Sequence, residues 1–90
     1  MTNNDLREML LEQGHEDTIL FEGDEFADGV LGVTEDGHLV YGYNEIIDSL
    51  MKAWGCPEQE AIDWLEYNTI RSIAYMRSEG KEPIIVLSIG

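Results

Sequence analysis

Cysteine, proline, histidine and positive charge are all scarce in this chain. Its 90 residues hold one Cys, two Pro, two His and five Lys or Arg. A single thiol, Cys56, cannot close an internal disulfide, and no apolar run approaches the roughly 18 residues that a membrane span needs. The opening MTNNDLREML has neither the positive flank nor the apolar centre of a secretory signal, so a cytoplasmic setting without membrane contact is expected. Gly29, Gly32 and Gly37 have no neighbouring Lys or Arg and no G-x-x-x-x-G-K pattern, which excludes a phosphate loop. His15 and His38 stand far apart with no carboxylate at metal spacing, and that is not a zinc site. No metal and no cofactor are expected.

What the chain has in excess is negative charge. Nineteen Asp and Glu against five Lys and Arg give a formal net charge of -14. Between Arg7 and Lys52 there is no Lys or Arg, while carboxylates recur from Glu8 to Asp48. A field of this sign repels nucleic acid and anionic membranes and attracts basic surfaces, so direct DNA or RNA binding is not expected. The plainer reading is that acidic surfaces keep a small protein soluble, and net charge by itself does not choose between the two.

A chain this short makes one domain and buries only about 60 to 65 % of the surface its unfolded form exposes. Apolar residues amount to 43 %, enough for a modest core. The pattern predicts an α+β fold: a small antiparallel sheet, made of a hairpin and a C-terminal strand, packed on three to four short helices.

The elements follow from local chemistry. Thr2 and Asp5 form a capping-box pattern, and Leu6, Met9 and Leu10 recur at helical spacing before Gly14, which predicts a helix over 3–13. Thr18 to Phe21 is a brief apolar run with β-branched residues and predicts a short strand. Glu22 to Glu25 has turn composition with little reason for burial. Phe26 to Thr34 and His38 to Tyr43 are the arms of a hairpin about Asp36-Gly37, and Gly29, Gly32 and Gly42 imply a bulge, a bend or a close backbone approach.

Asn44 then caps a predicted helix from Glu45 to Trp54 with an apolar stripe of Ile46, Ile47, Leu50, Met51 and Trp54, ended by Gly55. A further helix is expected near Pro57, with Ala61, Ile62 and Leu65 on one face. It should break at Tyr67-Asn68-Thr69, where Asn68 tolerates a left-handed exit and Thr69 caps a second piece carrying Ile70, Ile73, Ala74 and Tyr75. Pro83 to Ile89 is a final strand whose unbroken apolar run predicts burial on both faces or a central position.

Residues with chemical potential are few. Cys56 near a helix start has the dipole that lowers a thiol pKa, but no C-x-x-C accompanies it, and packing or capping explains it as well. Glu22, Asp24, Phe26 and Asp28 are spaced like a calcium loop, yet Phe26 stands at a ligand position and Val33 at the twelfth place, where a glutamate is required. Arg71 offers bidentate donors to a carboxylate or phosphate ligand, with Tyr67 beside it, or else ties to Asp63, Glu66 or a backbone carbonyl. Trp54, Trp64, Tyr41 and Tyr43 read as core or half-buried surface more readily than as a stacking platform. No nucleophile–base pair is visible, so catalysis is not expected.

Several stretches carry a resemblance: Gly32 to Gly37 with Val40, Tyr41 and Tyr43; Glu60-Ala61-Ile62; Glu66 to Arg71 with Tyr75; and Pro83-Ile84-Ile85. In GVTEDGHLVYGY and EYNTIR above all, the chain resembles a group of short acidic uncharacterised proteins of phages, prophages and gut Firmicutes. The group generally carries a proline where Ala74 stands, which implies that the second helical piece runs further here. The resemblance implies a mobile-element setting and no particular mechanism. Two functions are carried forward. The first is an acidic module that occupies a basic protein surface, as a decoy for nucleic acid on a host defence protein such as a CRISPR effector, through Glu22, Asp24, Glu25, Asp28, Glu35 and Asp36. The second is a homo-oligomer that binds a small ligand at Arg71 and Tyr67 without catalysis.

Overall fold

The computed structural model describes residues 2–76 and 80–87. Helix α1 spans Asn3–Glu12, and its start is fixed reciprocally: the Asp5 amide donates to Thr2 Oγ1 at 3.2 Å and the Thr2 amide to Asp5 Oδ2 at 3.0 Å. Its end is a Schellman closure, in which the His15 amide reaches back to the Leu10 carbonyl at 2.8 Å and the Gly14 amide to that of Leu11 at 3.1 Å. Leu6 and Leu10 are buried by this helix.

The stretch Thr18 to Phe21, expected as a strand, is irregular coil. Its apolar residues explain the error: Leu20 and Phe21 are buried, but the backbone finds single partners rather than a ladder. Ile19 donates to the Lys81 carbonyl at 3.2 Å, Phe21 to the Tyr41 hydroxyl at 3.2 Å, and Thr18 Oγ1 to the Gly37 carbonyl at 2.6 Å. The run is a plug under the hairpin, held by its side chains.

The turn expected at Glu22 to Glu25 is a one-turn helix, α2 (Asp24–Ala27), which takes Phe26 and Ala27 out of the predicted strand and buries both. The hairpin therefore starts later. Strands β1 (Val30–Val33) and β2 (Leu39–Gly42) pair antiparallel, with a bulge between Val30 and Gly32. Gly37 closes the loop at φ +91°, a conformation that only glycine adopts without strain, and donates to the Thr34 carbonyl at 3.0 Å. Gly29 answers the expected close approach: a Cβ there would lie 2.6 Å from Ile46 Cγ1 and 3.2 Å from the Ile46 amide nitrogen.

Helix α3 (Tyr43–Trp54) begins two residues earlier than predicted, with Gly42 rather than Asn44 at its N-cap, and ends at left-handed Gly55 as expected. Ile46, Ile47 and Leu50 form its core stripe. Helix α4 (Glu58–Trp64) follows from N-cap Pro57. The break predicted at Asn68 does not occur. Leu65–Ile70 is a π-helical segment leading directly into α5 (Arg71–Met76). No described residue other than glycine has positive φ, and the Asn68 side chain instead donates through Nδ2 to the Trp64 carbonyl at 3.3 Å. One wide turn absorbs the irregularity that the sequence suggests. Ile73 packs on the core, while the side chains of Ile70, Ala74 and Tyr75 lie outside the described residues.

The α+β class holds, with a hairpin and a C-terminal strand on four helical runs. The last strand, β3 (Ile84–Val86), differs from expectation in direction and place. It joins β2 parallel, so the sheet is mixed in the order β1-β2-β3, and β3 is an edge. Ile84 and Val86 are 36 % and 37 % exposed, against the predicted burial on both faces. The physical reason lies in the connection: the chain returns to β2 through helices, and a helical crossover delivers a parallel strand. Ser88 and Ile89 of the predicted strand lie outside the described residues. The core gathers Leu6, Leu20, Phe21, Phe26, Tyr41, Ile46, Leu50 and Leu65 from every layer except the sheet edges.

Candidate functional site

Helix α2 is a rib between two grooves. On one side it faces α3 across a groove of about 630 Å³, lined by Asp24, Glu25 and Asp28 from α2 and its end and by Glu45, Asp48 and Lys52 from α3. The positions 45, 48 and 52 share one helical face by their three- and four-residue spacing. Ser49 Oγ donates to the Glu25 carbonyl and clasps the two elements together. Asp24 also accepts the Asn3 amide at 2.9 Å, at the positive end of α1, where a carboxylate is favoured. One oxygen of Glu45, Oε2, is buried without a hydrogen-bond partner. The groove is thus lined by five carboxylates and one lysine.

Three of the six predicted partner-binding carboxylates meet here, and three do not. Glu22 lines the other groove, on the far side of α2. Glu35 and Asp36 are exposed in the hairpin loop, which is tied to Thr18 rather than to α3. Sequence reading missed Glu45 and Asp48. Their spacing on a predicted helix was visible, but its orientation toward α2 was not. The calcium-loop spacing is resolved by the same helix: Asp24–Ala27 is a helical turn with Phe26 in the core, and no cluster of metal-binding side chains occurs among the described residues.

The second groove, about 400 Å³, has an aromatic wall. Tyr41 meets Phe21 at 4.8 Å between ring centroids, Phe21 meets Phe26 at 5.6 Å, and Phe26 meets Trp64 at 5.9 Å. Trp64 then meets Trp54 edge to face at 4.9 Å and 71°. This row of rings leads from Tyr41, fully buried, to Trp64 and Trp54, which are 39 % and 42 % exposed. The two Trp are exposed at the surface rather than part of the core, while Tyr41 is core.

Arg71 and Tyr67 are indeed together: the guanidinium carbon lies 5.1 Å from the Tyr67 ring centroid. Asp63 and Glu66 line the same groove of about 340 Å³, so the cation already has two carboxylates for neighbours. Glu66 Oε1 also accepts from the Tyr43 hydroxyl at 3.3 Å. Desolvation raises the pKa of that phenol, and the charge and hydrogen bond of Glu66 raise it further.

The other candidates have structural roles. His38 is half-buried, and its Nδ1 lies 2.7 Å from the Glu82 carbonyl, which can only accept; the proton therefore sits on Nδ1. Cys56 is partly buried against the core, with Sγ 3.9 Å from the Leu50 carbonyl of α3, a packing role. No described helix is long and apolar enough to cross a membrane. Comparison of the chain with protein families, with curated proteins and with solved structures finds no match.

Proposed function

We propose that this protein is an acidic interaction module that acts in the cytoplasm by occupying a basic, nucleic-acid-binding surface of another protein, in the manner of a phage or prophage anti-defence or anti-CRISPR inhibitor. The observation that carries the reading is the α2–α3 groove, which Asp24, Glu25, Asp28, Glu45 and Asp48 line together with Lys52. A net charge of -14 supplies the long-range field that would steer a basic partner to it. Carboxylates on two helical rims stand in for phosphates, and no catalysis is assigned.

The second reading, a ligand-binding homo-oligomer built on Arg71 and Tyr67, has less support. Asp63 and Glu66 beside the guanidinium oppose an anionic ligand. The test is binding to a panel of purified nucleic-acid-binding bacterial proteins, CRISPR effectors included, at stepped salt. Affinity should fall steeply as salt rises, and Asp24→Lys with Glu25→Lys and Asp28→Lys should weaken it by about tenfold or more. Unchanged binding after reversal of these three together with Glu22, Glu35 and Asp36 would sink the proposal.

A further inference from the structure

The acidic groove explains attraction but not grip, since exposed charge pairs contribute little to affinity. The grip has a candidate on the other side of the rib. Trp54 and Trp64 are large, exposed and packed edge to face, and the Trp64 ring meets that of the buried Phe26. Tryptophan concentrates binding energy at interfaces because it covers a large area with only two side-chain torsions to order. We propose that the Trp54–Trp64 pair is the anchor of the interface and receives an arginine-bearing basic segment of the partner, whose other positive charges settle on the carboxylates around it. This rests on the reading of the protein as an acidic interaction module.

Charge selects the occupant. Glu22 lines the groove that Trp64 walls, Glu58, Glu60 and Asp63 are exposed on α4, and the five-carboxylate groove lies across α2. A second copy of this chain would bring a further charge of -14 against the same field. A neutral apolar segment would desolvate the nearby carboxylates without compensating them. A basic segment satisfies both, and a guanidinium fits an indole face better than an ammonium does because it is planar and weakly hydrated. The molecule already makes such a contact internally, between Arg71 and Tyr67.

The experiment measures binding of the full chain to oligo-arginine, oligo-lysine and neutral apolar peptides of equal length, by calorimetry with fluorescence of the Trp residues in parallel. Oligo-arginine should bind roughly 2- to 30-fold more tightly than oligo-lysine. Trp54→Leu should reduce that preference by weakening oligo-arginine more than oligo-lysine, and Trp54→Phe should keep more of it. Trp54 is the position of choice because it lies in the last turn of α3, outside the buried core, and circular dichroism verifies the fold of each variant. Neutralising Asp24, Glu25 and Asp28 to Asn, Gln and Asn should weaken both basic peptides alike and preserve their ratio. Equal affinity for the two peptides with Trp54→Leu indifferent overturns the anchor and leaves the acidic-module reading standing. Tighter binding of the neutral peptide, or a dimer that Trp54→Leu dissolves, overturns it as well. Arginine preference that survives charge neutralisation without loss of affinity keeps the anchor and removes the acidic groove from the interface.

Discussion

Tyr41 is the residue on which the interior turns. It is fully buried in the central strand, stacks on Phe21, and its hydroxyl is the acceptor for the Phe21 amide in a stretch that has no ladder. Burial raises its pKa above the ordinary value of 10.0, and the Phe21 hydrogen bond opposes this only in part. A raised folded-state pKa means that the folded protein holds the phenol proton when the unfolded chain has begun to release it. Stability from this group is therefore complete below pH 10.0 and is lost progressively above it, as pH rises toward the folded pKa. Urea unfolding followed from neutral to alkaline pH should show that decline. Tyr41→Phe should flatten it, at a cost of about 1 to 3 kcal/mol near neutrality because the buried Phe21 amide loses its acceptor.

Elements here are joined by a few specific ties rather than by long ladders. Helix α2 has four residues and could not persist alone, since one turn does not recover the cost of helix nucleation. Three things hold it: Phe26 and Ala27 in the core, Asp24 on the first amide of α1, and Ser49 on the Glu25 carbonyl. Ser49→Ala should cost about 0.5 to 1.5 kcal/mol in global stability, measured by denaturant unfolding. It should also speed amide exchange in Asp24–Ala27 more than elsewhere, since α2 would open locally before the whole domain does. If exchange there does not change, the Phe26 anchor alone fixes the rib, and the groove does not need the clasp. The π-helical turn from Leu65 to Ile70 is the second irregular element, and it keeps Leu65 and Thr69 buried while Tyr67 remains 70 % exposed beside Arg71.

At the scale of the molecule, charge works against compactness. The Cα radius of gyration is 12.8 Å, close to the roughly 12 Å expected for a chain of this length, so the carboxylates of a net charge of -14 share a molecule 38 × 27 × 26 Å across, comparable with the Debye length of about 30 Å at 0.01 M. Self-repulsion then destabilises the folded state, and screening should relieve it. Melting temperature should rise as sodium chloride is raised from low ionic strength to about 0.1 M and beyond, where the screening length falls to about 10 Å. A fall instead would show that attractive pairs dominate the surface. The same salt that stabilises the free protein should weaken its complex with a basic partner, and this opposition separates a functional acidic face from one that merely solubilises.

What the sequence determined by itself was local. The α1 cap at Thr2 and Asp5, the stop at Gly14, the hairpin about Gly37, the stripe of α3 and its end at Gly55 are all decided within a few residues, by hydrogen bonds and torsional limits that the sequence states directly. Net charge, which is a sum over residues, was equally legible, as were Asp24, Glu25 and Asp28 as one acidic stretch. Tertiary structure decided the rest. Whether Phe26 belonged to a strand or a helix, whether Thr18 to Phe21 found a ladder, and whether β3 ran parallel or antiparallel all depended on partners distant in sequence. The site is of the same kind. Glu45 and Asp48 join the α2 carboxylates, and Trp54 meets Trp64, because the fold sets α2 against α3 and α3 against α4. A short apolar run records that a segment is buried, but only the packed neighbours determine the backbone conformation in which burial satisfies its hydrogen bonds.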